Sequence, residues 1–480
     1  MNWLPSIQDL IAAIVKILVM VGFLFNVAGF LTWVDRRLSS MIQDRVGPNR
    51  AGFKLGPITL RIAGLLHTAA DGVKFFTKQD FMPPKADKLL FSLAPMLAMI
   101  PVIALAAVIP MGDTVALGDI KRVICIDNGV AIARANEAGE CVKGVATTVW
   151  PAAMRSGLNA NKGVIDLAIS PLNVGMLYVF ALAGQGIVGA AIAGVSSDNK
   201  FSLMGALRAA SQMVSYEVTM GLTLIGAMMI YGSIRLDDMV RWQGENTWGI
   251  FVQPLGFVLF FVAAIAESKR IPFDLPEAES ELVSGYFTEY SGMKFGMFYF
   301  AEYMEIVTSS MLLVVCFLGG WQLPFLHRDG LTISIGDTVL LATVKLPHLW
   351  VIILGVLAFF GKVLALCFIQ AFVRWSLPRF RYDQLMKLGW TVLLPASLAN
   401  ILVTGSVMLS LDAMGPKVAE SLKVLADVTQ GIVALVLTFL FVRGIVWWFS
   451  SRDKEQTLLG SAAKFAKTRG GTAKAAPTQA

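Results

Sequence analysis

Apolar runs of about twenty residues or more recur along this chain, and the charge is gathered into the segments between them. The runs lie near 7–34, 89–110, 168–194, 213–232, 249–267, 297–319, 347–374, 389–411 and 428–450. Crossing about 30 Å of hydrocarbon takes about 20 helical residues. Lipid admits only helices and closed barrels, because every backbone polar group must be paired internally. These runs are continuous, unlike the ten-residue alternation of barrel strands. The pattern therefore predicts an all-α, polytopic transmembrane helix bundle of nine spans.

One stretch, 56–79, has a different period. Ile58, Ile62, Leu65, Leu66, Ala69, Val73 and Phe76 recur at helical spacing, and His67, Asp71, Lys74 and Lys78 recur on another face. Gly56-Pro57 marks its start and Pro83-Pro84 its end. This predicts an amphipathic helix lying in the membrane interface. Its polar face either meets solvent or, at His67 and Asp71, lines the mouth of a cavity.

Composition agrees: 56% of residues are hydrophobic and 15% charged, against about 25% charged in soluble proteins. The net charge of +7 is then a matter of loop distribution, not of nucleic acid, and the expected surroundings are a lipid bilayer. Ten Lys or Arg lie in 35–88, and more follow at Arg374, Arg379, Arg381, Lys387 and after residue 450. The positive-inside rule puts these segments in the cytoplasm. Alternation then puts the N-terminus outside and the C-terminus and the segment 267–296 inside. The first run has no basic head or cleavage site of a signal peptide. The organisation expected is two spans with the interfacial helix in 1–110, an extracytoplasmic insertion at 111–167, a six-span core at 168–411, an extra span at 412–452, and a disordered cytoplasmic tail at 453–480.

In the insertion, the Val-Ile-Cys-Ile piece ending at Ile126 and the piece starting at Cys141 read as two strands of a hairpin. Cys125 and Cys141 are either joined, in an oxidising compartment, or free thiols. No CxxC or phosphate loop occurs and no GxGxxG follows a strand, so no metal or tightly held nucleotide is expected on this chain alone.

The informative chemistry is acidic. Between Glu267 and Tyr286 the chain places Glu267, Asp274, Glu277, Glu279 and Glu281 beside Lys269 and Arg270, directly after an apolar run. Glu217 lies within the fourth span, and Glu302 and Glu305 within the sixth. A carboxylate in lipid costs about 2.5–3.5 kcal/mol on insertion scales. Such groups face a hydrated interior, take a proton, or pair with a cation such as Arg208 or Arg36. The bend Arg374–Asp383 is basic and placed to meet the acidic segment.

These motifs in this order resemble the H subunit of proton-pumping NADH:quinone oxidoreductase, respiratory complex I. The resemblance rests on Asp35-Arg-Arg37, Arg45-Val-Gly-Pro-Asn-Arg50, Ala70-Asp-Gly-Val-Lys74, Ser202–Ala210, Val214-Ser-Tyr-Glu-Val218, the acidic segment, Ala301-Glu-Tyr303 and Arg374–Gln384, and covers most of 7–411. It implies eight helices plus the interfacial helix, and a role within a complex rather than catalysis by this chain alone. It implies a chamber for quinone, the substrate, along Arg36, His67 and Asp71. It implies a proton path through Glu217, Glu267, Glu277, Glu279, Glu281 and Glu302, and loops shaped by Arg270, Asp274 and Arg379 that meet the hydrophilic arm. FMN and iron–sulfur clusters belong, by the same resemblance, to neighbouring subunits. Other partners are antiporter-like membrane subunits, and the location is a bacterial inner membrane. Three departures stand out: Asp35 where Glu is common, His67 where Gln is usual, and the additions at 111–167 and 428–450. Two other readings compete: a membrane component of an energy-converting hydrogenase, and a secondary ion transporter, the latter without the paired inverted repeat of that class.

Overall fold

The structure is a computed structural model. It describes residues 7–55, 58–60, 64–113, 115–116, 125–127, 130–133, 164–165, 167–170, 172–276, 282–327, 330–335, 338–345 and 348–414, with scattered positions between 425 and 443. Helix dominates. Among the described residues, seven helices are long and apolar enough to cross a membrane, and an eighth apolar helix is shorter. In chain order they are α1 (Ile7–Ile42), α3 (Lys88–Ala106), α4 (Gly175–Ser196, broken at Gly184), α5 (Lys200–Tyr231), the short α7 (Pro254–Glu267), α8 (Gly292–Phe317), α9 (His348–Ser376) and α10 (Tyr382–Leu411). Two further helices of ten residues or more among the described residues do not span: α2 (Leu66–Thr77) and α6 (Leu236–Glu245). The first eight apolar runs thus become the bundle. Positions described between 425 and 443 are helical, and the remainder of the ninth run lies outside the described residues. So does the tail after 450.

Three boundaries differ from the sequence reading. The interfacial helix starts at Leu66, not at residue 56, and is preceded by an antiparallel pair of strands, β1 (Phe53–Leu55) and β2 (Ile58–Leu60). Phe53-Lys-Leu55 and Ile58-Thr-Leu60 alternate with period two, a strand pattern, and Ile58 fits either period. The fourth span begins at Lys200 rather than 213. Asn199 caps it, its side-chain oxygen accepting from the Phe201 amide, and the added turns are too polar and small-residued to register as a span. In the insertion, β3 (Val115–Ala116) pairs with β6 (Val164–Ile165). Strand β4 (Cys125–Asp127) pairs with its neighbour β5 (Val130–Ala133), not with the piece at Cys141. Cys141 and the side chain of Cys125 lie outside the described residues. A further sheet, β7 (Leu326–His327), β8 (Gly330–Ile335) and β9 (Thr338–Lys345), fills the connection between α8 and α9.

Helix α8 is the axis of the bundle. From Met311 to Phe317 every side chain is buried, enclosed by residues of α1, α5, α7 and α9 in one apolar core. Elsewhere helices meet through small residues, as membrane helices do in the absence of a hydrophobic drive between them. A Cβ on Gly194 of α4 would sit 2.2 Å from the Ala206 Cβ and 2.8 Å from the Ser202 carbonyl of α5. Gly361 of α9 has nothing within 4 Å. Gly194→Val is therefore expected to lower the amount of assembled protein in membranes severalfold, overpacking costing about 1–3 kcal/mol. Gly361→Ala is the matched control, and equal levels of the two on an immunoblot would contradict the close contact.

Candidate functional site

Helix α2 lies across the end of α1 and α8. Asp71, Lys74, Phe75 and Lys78 line a cavity, the two lysines at its exposed edge, while Val73 and Phe76 are exposed and line none of it. Arg36, near the end of α1, forms an ion pair with Asp71. Beneath them is this cavity, of about 460 Å³, within the usual range for small-molecule sites. Phe75, Phe287, Phe295, Tyr299 and Phe300 supply an aromatic side to its walls, and Thr32, Thr68, Ser284, Thr288 and Ser291 a polar one. The structure brings Arg36 and Asp71 to this cavity but not His67, whose Nδ1 lies 3.0 Å from the Gly64 carbonyl in the first turn of α2.

From the cavity wall a line of polar groups runs into the bundle. The Tyr299 hydroxyl is 3.2 Å from the Tyr303 hydroxyl, which donates to Asp35 at 2.7 Å. Arg374 of α9 also donates to Asp35, and these groups surround a small void of about 20 Å³. Tyr299 and Tyr303 are one helical turn apart on α8, which stacks their hydroxyls. The Arg270 guanidinium lies 4.0 Å above the Tyr303 ring and pairs with Glu302 at 3.4 Å. Tyr286 donates to Glu302 at 3.4 Å.

Beyond these lies the acid cluster. Lys269 bonds Glu305 at 3.2 Å. Glu267, Lys269, Glu302 and Glu305 share the wall of a second void of about 50 Å³ that continues along α8 past Thr308 and Ser309. Glu267 is within electrostatic reach of Glu305, Glu217 and Lys269. Glu217 is half-buried beside the break at Gly184, its Oε1 3.2 Å from where a Cβ on that glycine would stand. Among the described residues it makes no salt bridge, so neither Arg208 nor Arg36 neutralises it.

Lys269 lies in the turn after α7. Burial pulls its ammonium toward the neutral form, but Glu305, Glu302 and Glu267 outweigh burial and hold its pKa above the ordinary lysine value. On the same side, Arg379 bonds Asp274 at 2.7 Å, joining the basic bend to the acidic segment. Glu277, Glu279 and Glu281 lie outside the described residues. The sequence reading placed Arg270, Glu302, Glu267 and Glu217 among the functional groups, and the structure sets them side by side. It missed Tyr299, Tyr303 and Arg374 as connectors and Lys269 as the central cation. The spacing of Tyr299 and Tyr303 was the available signal.

Residues 14–405 match a family model described as NADH dehydrogenase. The chain is 39% identical over 383 residues to an H subunit of NADH-quinone oxidoreductase from Cytophaga hutchinsonii, covering 80% of this chain and 92% of that protein. It is 38% identical to the H subunit of the same enzyme from Flavobacterium johnsoniae, over 83% of this chain and 95% of that protein. With an H subunit from Geobacter metallireducens it shares 38% identity, over 84% of this chain and 99% of the relative. Agreement of that extent, across the helices that hold both the cavity and the acid cluster, shows that the chain belongs to the family of NADH-quinone oxidoreductase H subunits, membrane components of respiratory complex I.

Proposed function

We propose that this chain forms the membrane wall of the quinone chamber of a proton-translocating NADH:quinone oxidoreductase, and the first stretch of its proton path. The observation that carries the reading is continuity. The aromatic wall of the 460 Å³ cavity is hydrogen-bonded through Tyr299 and Tyr303 to Asp35. Arg270, resting on Tyr303, leads to Glu302, beside Glu305, Lys269 and Glu267. A cavity with an aromatic side and convergent polar groups suits a quinone. Coupled titrating sites nearby respond to a charge change in it.

In this reading Arg36 and Asp71 guard the chamber mouth, with His67 behind them. Protons pass among Glu302, Glu267 and Glu217, with Glu277, Glu279 and Glu281 supplying the loop end of the path. Arg270, Asp274 and Arg379 brace the loops against the hydrophilic arm. FMN, the iron–sulfur clusters and the antiporter-like subunits belong to partners in the complex. The chain sits in the bacterial inner membrane with its basic segments in the cytoplasm and its N-terminus outside.

A photoreactive quinone analogue added to the purified complex tests the chamber. Labelling is expected on α2 and on the cavity-facing turns between Phe287 and Phe300, and it is expected to be competed by excess quinone. Competed labelling confined to other parts of this chain would overturn the assignment.

A further inference from the structure

Ser202, Gly205, Ala209 and Gln212 of α5 are spaced three and four apart, hence on one face of the helix. All are buried. This face grips the acidic segment at both ends. Toward its exit, a Cβ on Gly205 would lie 2.7 Å from the Gly285 Cα and 2.9 Å from the Tyr286 nitrogen, so only glycine lets the two backbones approach. At its entry, the Gln212 Nε2 donates to the Ala266 carbonyl and to the Phe273 carbonyl, both at 2.7 Å. Carbonyls only accept, so the amide nitrogen must face them, and the side-chain orientation follows from its partners.

The turn between those two carbonyls carries Glu267, Lys269 and Arg270. Lys269 has a φ of 55°, a left-handed conformation uncommon for a residue with a Cβ and sustained only where surrounding contacts over-determine it. Gln212 supplies two of those contacts. In the same turn the Lys269 ammonium reaches Glu305 and the Arg270 guanidinium reaches Glu302, so the backbone geometry of the turn sets which carboxylate each cation meets.

We propose that Gln212 is the positioning residue of this turn. By bridging Ala266 and Phe273 it holds Lys269 left-handed and sets Glu267, Lys269 and Arg270 against Glu302 and Glu305. Its functional weight rests on the proton-path reading above; its structural claim does not. The amide acts as a two-pronged staple inside the bundle. Losing it frees the turn without removing any charge from the cluster.

The test uses the assembled complex with Gln212→Leu and Gln212→Glu. The leucine variant removes the bridging donor from both carbonyls, leaving Ala266 only the Lys269 amide at 3.3 Å and Phe273 only the Leu275 amide at 3.1 Å. Hydrogen exchange of the peptide around Ala266–Phe273 is expected to quicken about tenfold or more, each tenfold being one lost increment of local protection, and coupled turnover is expected to fall at every pH. The glutamate variant keeps the shape. Its neutral form donates one hydrogen bond and its ionised form none. Its turnover is therefore expected to recover toward acid relative to wild type, a change of pH profile that simple space-filling would not produce. Should the leucine variant fail to assemble, the glutamate variant carries both measurements. Wild-type exchange in the turn, or a glutamate variant whose pH profile parallels wild type, overturns the proposal. A loosened turn with an unchanged proton yield supports the staple and removes instead the proton-path reading.

Discussion

Glu217→Gln is expected to abolish proton translocation by the complex and to leave the complex assembled. The substitution exchanges one oxygen for a nitrogen of the same size and removes the one property a relay needs, reversible protonation. It breaks no salt bridge among the described residues, and the neighbouring break at Gly184 keeps its space. Glu217 lies beside Glu267 in the electrostatic sense but on a different helix, α5 rather than α7. In the proposed path it is thus the group that carries protons away from the turn. A fall of about a hundredfold or more in proton uptake by sealed vesicles is expected, the scale of a lost acid–base group. Subunit content by native gel should be unchanged. Glu302→Gln is a poorer probe, because it also removes the partner of Arg270 and confounds assembly with chemistry. A normal number of protons moved per quinol formed in the Glu217 variant would take this residue out of the path.

Spans were legible because hydrophobic length is a one-dimensional property, and eight of the nine runs stand as helices within the described residues. Acidic residues in those runs were legible as anomalies for the same reason, since a carboxylate among twenty apolar neighbours is visible without any fold. What could not be read was who meets whom. Asp35 reaches Tyr303 and Arg374 across 268 and 339 residues of sequence, and nothing in the local pattern selects those partners over Arg270 or Arg37. By sequence Arg36 suits either an anchor or a partner for Glu217; packing of α2 against α1 gives it to Asp71 instead. The hairpin before α2 escapes the sequence because Ile58, Ile62 and Leu65 satisfy a helical period while Phe53–Leu60 satisfies a strand period. Tertiary context chooses between them. The early start of α5 is hidden for a related reason. Ser202, Gly205 and Gln212 lower its hydropathy, and they are the residues that let the acidic segment pack against it.

Lys269→Met is expected to make the complex alkali-sensitive. In the native protein the ammonium is buried among Glu305, Glu302 and Glu267, whose charges outweigh the burial that opposes it and raise its pKa. A lysine whose folded pKa is raised contributes stability that is fully present below the ordinary value near 10.4 and is lost only as pH rises through the higher folded value. Across the neutral range that contribution is therefore constant in wild type. Methionine fills much of the same space without the charge. Three carboxylates then face one another around a void of about 50 Å³, and breaking such a buried pair costs about 3–5 kcal/mol. Protonating any one of the three relieves the repulsion, so the cost shrinks toward acid and grows toward alkali. The thermal dissociation midpoint of the variant complex should approach wild type at low pH and fall away from it as pH rises. Lys269→Arg, which keeps the charge, should show no such divergence. Two curves offset by the same amount at every pH would mean that Lys269 only occupies volume, and that the carboxylates around it do not share one electrostatic environment.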